Sequence, residues 1–271
     1  MGEVLAFVSV KGGVGKTTLA LETASSLAND FEKKVLLVDA NFSAPNLGLY
    51  LDLTDEVTLH DALLGVGLHN AIYESHGFDV APASFDYNHE VDIYRLEKVL
   101  FKMRNKYDFI ILDSAPNYAE LIPVIASADR IFIVTTPDRI TLATSMKAAK
   151  LAKQKKTPIE GMIINKIRHP DYELELKDIE ESSELPVLAR IRDNKKIAEA
   201  IFHKKPITVY DRNNEISREV RRFSSALCGT PEEPAGFFQR ILPFKNLIGK
   251  DIGKEKVNRQ LLREKFYESQ L

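Results

Sequence analysis

Short apolar runs alternate with longer amphipathic segments over most of the chain. The runs Val4–Val10, Lys34–Asp39, Phe78–Ala81, Phe109–Asp113, Arg130–Thr135, Gly161–Asn165 and Val187–Ile191 have the length of strands. Their near-continuous apolarity belongs to strands covered on both faces, the condition inside a parallel sheet. Between them, Thr17–Ala28, Ile93–Lys106, Ala119–Ala126, Leu142–Lys153, Lys195–His203 and Ser217–Leu227 space apolar residues three and four apart, as a helix with one buried face does. The alternation predicts an α/β fold with seven strands in one mostly parallel central sheet, flanked by helices on both faces. The pattern breaks after Cys228, where Gly229-Thr230-Pro231-Glu232-Glu233-Pro234 carries two prolines and no apolar side chain. Residues 1–228 therefore read as one domain, and 229–271 as a linker and tail.

Composition narrows the chemistry. With 37 Lys+Arg against 39 Asp+Glu and a formal charge of −2, no bulk field drives the chain onto nucleic acid, so anion binding has to be local. A single cysteine excludes a disulfide framework and any centre needing several thiolates from one chain. The six histidines lack metal-ligand spacing, which leaves magnesium as the expected metal. No basic leader and no apolar run near the roughly 18 residues of a membrane span are present, so the expected address is cytoplasmic. Position 6 is Ala6 rather than Ser or Thr, which removes the acylation pattern that Gly2 would begin.

Local anion chemistry is written directly after the first strand, as Lys11-Gly12-Gly13-Val14-Gly15-Lys16-Thr17-Thr18 leading into a helical pattern. The ordinary phosphate-loop expression asks for Gly where this chain has Val10. The physics holds without it. Glycines let the backbone wrap an anion, successive N–H groups form a nest, and the helix points its positive end at the same place. Lys16 would reach the β- and γ-phosphates, and the Thr17 hydroxyl would ligate Mg²⁺. Two carboxylates stand where open α/β sheets place ligands: Asp39 ends the second strand, and Asp113 ends another after four apolar residues. Either could hold magnesium-bound water, and together with the loop they form a convergent site.

The stretch KGGVGKTT resembles the deviant Walker A motif of the MinD/ParA family of P-loop ATPases, with MinD-like proteins the nearest in kind. VDANFSAPNLGLYLDL is similar to the family's first switch, and LDSAPNYAELIPVIASADRIFIVTTPD to its second switch and the strand beyond. The resemblance covers most of residues 1–228. It implies ATP and Mg²⁺ as cofactors, slow hydrolysis, and a homodimer formed on ATP binding, in which Lys11 reaches the partner's nucleotide. It also implies an activator or cargo protein as a further partner. Many relatives carry Asp two residues after the first-switch aspartate, where this chain has Asn41. An amide can orient the attacking water but cannot take its proton, so slow turnover is the expectation, with a low-turnover ATP-binding scaffold as its limit. In relatives the asparagine matching Asn165 bonds adenine, although a strand-end asparagine can equally form a turn. Arg168 stands where a guanine reader would carry Asp, which favours ATP over GTP. The segment ARIRDNKKIAEA resembles the loop over the base and puts Asp193 among the nucleotide contacts.

The tail contains GFFQRILPFKNLIGK, in which Phe237, Phe238, Ile241, Leu242 and Phe244 gather on one face beside Arg240 and no acid. Such a face can lie on an anionic lipid interface, and dimerisation would present two copies and multiply their weak affinities. This arrangement resembles the membrane-targeting helix of MinD proteins. Pro243 interrupts it, and Val257, Leu261, Leu262 and Phe266 give the last stretch a stripe of its own, so packing of both pieces on protein is the other reading. A ParA-like DNA-segregation role would need a basic face within the near-neutral total.

Overall fold

The computed structural model describes residues 1–53, 56–87, 90–231 and 252–270. Eight strands form one sheet: β1 (Glu3–Val8), β2 (Val35–Ala40), β3 (Tyr73–Ser75), β4 (Phe78–Ala81), β5 (Phe109–Ser114), β6 (Arg130–Thr135), β7 (Ile159–Ile167) and β8 (Val187–Arg192). Their order is β3-β4-β2-β5-β1-β6-β7-β8, parallel throughout except for β3 against β4. The expected seven strands are present, and β3 is an addition that the apolar pattern does not announce. It is a hairpin arm, turned back by His76 and Gly77 with φ of 51° and 88°, the positive angles that a two-residue hairpin turn requires.

Side chains alternate across the sheet because the strand repeat is two residues. Val4, Ala6 and Val8 of β1 enter one core, while Leu5 and Phe7 enter the other. The first core is covered by α3 (Leu59–Leu64), α4 (Leu96–Phe101), α5 (Tyr118–Ser127), α6 (Arg139–Lys155) and α7 (Leu176–Ser183). Over the second lie α1 (Lys16–Phe31), α2 (Leu47–Leu51), α8 (Lys196–Phe202), α9 (Ile207–Tyr210), α10 (Glu215–Leu227) and α11 (Ile252–Gln270). The pattern predicts a helix over 93–106, but the α-helix is limited to 96–101, with a 3₁₀ turn before it and turns after it.

The last helix does not stand apart from the domain. Leu262 and Phe266 are buried, with Phe266 under the Arg130 guanidinium at 4.5 Å, whereas Val257 and Leu261 are exposed. The buried face instead runs Glu255, Arg259, Leu262, Phe266, at helical spacing. Arg259 bonds the Leu188 carbonyl and Glu219, and Glu255 pairs with Arg190. Among the described residues, no helix is long and apolar enough to cross a membrane.

Candidate functional site

The loop between β1 and α1 lies at the carboxyl edge of the sheet. Gly13 and Gly15 take φ of +76° and +96°, which L side chains resist. Gly15 opens α1 with no side-chain cap, so the first helical N–H groups are left for an anion. Asn165, near the carboxyl end of β7, holds this loop: its Nδ2 donates to the Val14 carbonyl at 2.8 Å. A Cβ on Gly15 would stand 2.2 Å from that nitrogen.

A cavity of about 690 Å³ opens over the loop, within the size range of small-molecule sites. Gly12, Gly13, Gly15, Lys16, Thr17 and Thr18 line it, as do Asn165 and Asp193; Ile197, Ala198 and Ile201 supply an apolar wall. Lys16 is buried there, and burial pulls its pKa below the usual lysine value, partly opposed by Asp113. Lys11 is exposed and takes no part in the cavity wall.

The two acids are neighbours in register, Asp39 opposite Asp113 on adjacent parallel strands, and both are fully buried. They do different work. Asp39 accepts the N–H groups of Asn41 (3.3 Å), Asn46 (3.0 Å) and Leu47 (3.0 Å), and so folds the loop after β2 around itself. Asp113 accepts the Thr17 hydroxyl at 2.6 Å through Oδ2, while its Oδ1 is buried without a partner. Burial, and then repulsion from Asp113, pushes the Asp39 pKa upward. Burial likewise raises Asp113, against the Thr17 bond and the Lys16 charge. Two buried carboxylates side by side call for a compensating cation. A hydroxyl beside a carboxylate with a spare oxygen fits magnesium, which takes few protein ligands and keeps its waters.

Asn41 lines the cavity; its Nδ2 donates to the Ala44 carbonyl at 2.5 Å, and its Oδ1 is buried without a partner. That oxygen can accept a proton in a hydrogen bond but cannot remove one. Asp193 accepts from Arg168 Nε at 2.6 Å. Gly12, Gly13, Gly15, Lys16, Thr17, Thr18, Asn41, Asn165 and Asp193 thus share one cavity, Asp113 joins them through Thr17, and Asp39 is buried in register beside Asp113. Val14 packs into the second core, and the Lys11 side chain is exposed outside the cavity wall while its carbonyl accepts from Lys16 Nζ at 3.5 Å. Phe237, Phe238, Arg240, Ile241, Leu242 and Phe244 lie outside the described residues.

The sequence does not single out the apolar wall of Ile197, Ala198 and Ile201, nor three polar residues beside the loops. Asn46 and Tyr50 join the cavity wall from the loop and helix after β2. Glu120 accepts the Ser43 N–H at 3.1 Å and Asn117 Nδ2 at 2.9 Å, tying the loop after β2 to the loop after β5. Its signal was available, since Asn117 and Glu120 have the spacing of a capping pair at the start of α5.

Comparison with known proteins places this geometry. The family model described as the CobQ/CobB/MinD/ParA nucleotide binding domain matches residues 5–207. An uncharacterised ATP-binding protein of Methanocaldococcus jannaschii is 30% identical over 239 residues, covering 86% of this chain and 90% of its own. The solved cell division ATPase MinD of Pyrococcus furiosus superposes with a TM-score of 0.78 at 29% identity, over 83% of this chain and 98% of its own. The septum site-determining protein MinD of Pyrococcus horikoshii, solved with Mg-ADP, gives 0.78 at 28% identity, over 83% and 95%.

Proposed function

The chain belongs to the CobQ/CobB/MinD/ParA nucleotide-binding family, and on that premise we propose that it is a slow, magnesium-dependent ATPase switch that dimerises with ATP and positions other machinery, as MinD-like proteins do. The observation that carries the reading is the Thr17–Asp113 contact beneath an uncapped helix start, with Lys16 buried beside it. Triphosphate on the loop amides and Lys16, with Mg²⁺ held by Thr17 and by Asp113 through water, would satisfy every unpartnered group there. Bound magnesium would neutralise charge on the phosphate oxygens. Asn41 would orient water, and Asp39 would hold the loop that presents it. Adenine would lie against the wall of Ile197, Ala198 and Ile201, near Asn165 and Asp193. ATP is favoured because Arg168, bonded to Asp193, stands where a guanine reader would carry Asp.

Lys11 fits a role in trans, being exposed beside the cavity rather than part of it. Light scattering with size exclusion tests this: a dimer is expected with a slowly hydrolysed ATP analogue and Mg²⁺, a monomer with ADP, and no dimer after Lys11→Ala. A dimer indifferent to nucleotide would overturn the switch. The apolar, basic segment after residue 235 lies in sequence between α10 and the docked α11, so it would meet a lipid surface as a connection tethered at both ends. Anionic vesicles should sediment the ATP form, and Phe237→Glu with Phe238→Glu should abolish this; unchanged sedimentation would refute membrane binding.

One observation favours a ParA-like second reading. Helix α6 carries Lys147, Lys150, Lys153 and Lys155, all exposed, and no acid along its length. A salt-dependent shift of nonspecific duplex DNA would identify that case.

A further inference from the structure

The loop after β2 is pinned from a third side, by a histidine that nothing above employs. His60 of α3 is buried at 4% exposure, between that loop and the segment following β4. Its Nδ1 accepts the Ser84 N–H at 3.1 Å. The ring of Phe42, the residue directly after Asn41, meets it edge-on at 5.6 Å, and Tyr87 stacks on its other side at 4.5 Å and 21°. With Nδ1 committed as acceptor, the neutral ring carries its proton on Nε2, and the Phe42 backbone is the group that draws it. The Leu59 N–H donates to the Pro82 carbonyl at 2.8 Å, so α3 and the segment after β4 are joined at two adjacent points. Asp61 and Glu120 are the charges that face the ring, and Glu120 also holds Ser43.

We propose that His60 is a positioning residue that couples the Asn41 loop to residues 82–87, so that occupancy of the nucleotide site is relayed to that outer segment. The proposal rests on the cavity being a nucleotide site. Any shift of Asn41 toward a terminal phosphate displaces Phe42, its covalent neighbour. Phe42 is packed against a ring that is itself clamped between Ser84 and Tyr87, and close-packed rings move as bodies rather than deform. Displacement therefore reaches the Ser84 hydrogen bond, one flank of which carries Phe85 at 70% exposure. Hydrolysis depends on the same clamp in the opposite direction, because misplacing a water-orienting group by about 1 Å costs roughly a hundredfold in rate.

The Ser84 amide is its own reporter, since its acceptor is His60. Amide hydrogen exchange at Ser84 is compared with Mg-ADP and with a slowly hydrolysed Mg-ATP analogue, alongside calorimetric ATP binding and steady-state phosphate release. The unaltered protein should change Ser84 exchange between the two nucleotides. His60→Ala should abolish that difference and lower turnover by roughly tenfold or more while leaving ATP affinity unchanged, a split that a merely structural residue would not produce. If His60→Ala does not fold, Tyr87→Leu, which removes the stack from the outer end, should still diminish the difference. ATP binding with no nucleotide effect on Ser84, or an effect surviving both variants, overturns the relay alone. No ATP binding by the unaltered protein overturns the site reading beneath it.

Discussion

Gly15→Ala concentrates the geometry of the phosphate loop in one methyl group. Gly15 sits at φ +96°, where an alanine costs about 1–2 kcal/mol of backbone strain. The added Cβ would lie 2.2 Å from Asn165 Nδ2, far inside contact distance, so the amide has to leave. Asn165 is buried, and leaving breaks its 2.8 Å bond to the Val14 carbonyl, at a cost of about 1–3 kcal/mol. The expected total is about 2–5 kcal/mol, which in binding is roughly 30- to several-thousandfold at 1.4 kcal/mol per decade. Calorimetric titration of Mg-ATP into Gly15→Ala, Asn165→Ala and the double variant separates the parts. Asn165→Ala removes the obstacle, so the double variant should bind more tightly than the sum of the single losses allows, with coupling of about 1 kcal/mol or more. Additive losses, or a Gly15→Ala protein that binds normally, would refute the steric account of the loop.

Two further predictions address other sites. Glu22 of α1 is buried and accepts the N–H groups of Ile207 and Thr208, and the Thr208 hydroxyl, at the start of α9. Burial nevertheless pushes its pKa up to about 7 from the ordinary 4.5. The folded state then holds a proton that the unfolded chain releases, so this contribution is greatest below pH 4.5 and is lost as pH rises through 7. Linkage sets the loss at about 3 kcal/mol. Urea denaturation of the wild type and Glu22→Gln across this range should show the wild-type advantage shrinking with pH; an advantage that grows would mean that the two N–H groups select the ionised carboxylate. At Asn41, an aspartate supplies a proton acceptor near the expected water but sets a carboxylate against the Ala44 carbonyl, 2.5 Å from the present amide nitrogen. Phosphate release by Asn41→Asp should rise by about tenfold or more, with a lower melting temperature; an unchanged or slower rate counts against Asn41 as the water-orienting residue.

Much of the molecule follows from neighbours in sequence. Buried parallel strands are continuous apolar runs, and a phosphate loop is glycine, lysine and threonine within eight positions, so β1, α1, Asp113 and their shared edge are local facts that the order of residues settles. What each group then bonds depends on distant partners. Asn165 holds Val14 from 151 positions away, and Asp113 meets Thr17 across 96. Asp39 reads as a second magnesium acid, and the fold adds a task that its position in the sequence does not announce, since its oxygens accept three backbone N–H groups of the loop that follows it. The hairpin arm β3 escapes because three residues against one edge leave almost no period to detect. Helix α11 hides its inner face behind Glu255 and Arg259, charges that become buried only because Arg190, Glu219 and the Leu188 carbonyl wait on β8 and α10. Hydropathy counts the charge of a side chain and not its partner, and only the folded chain brings the partner within reach.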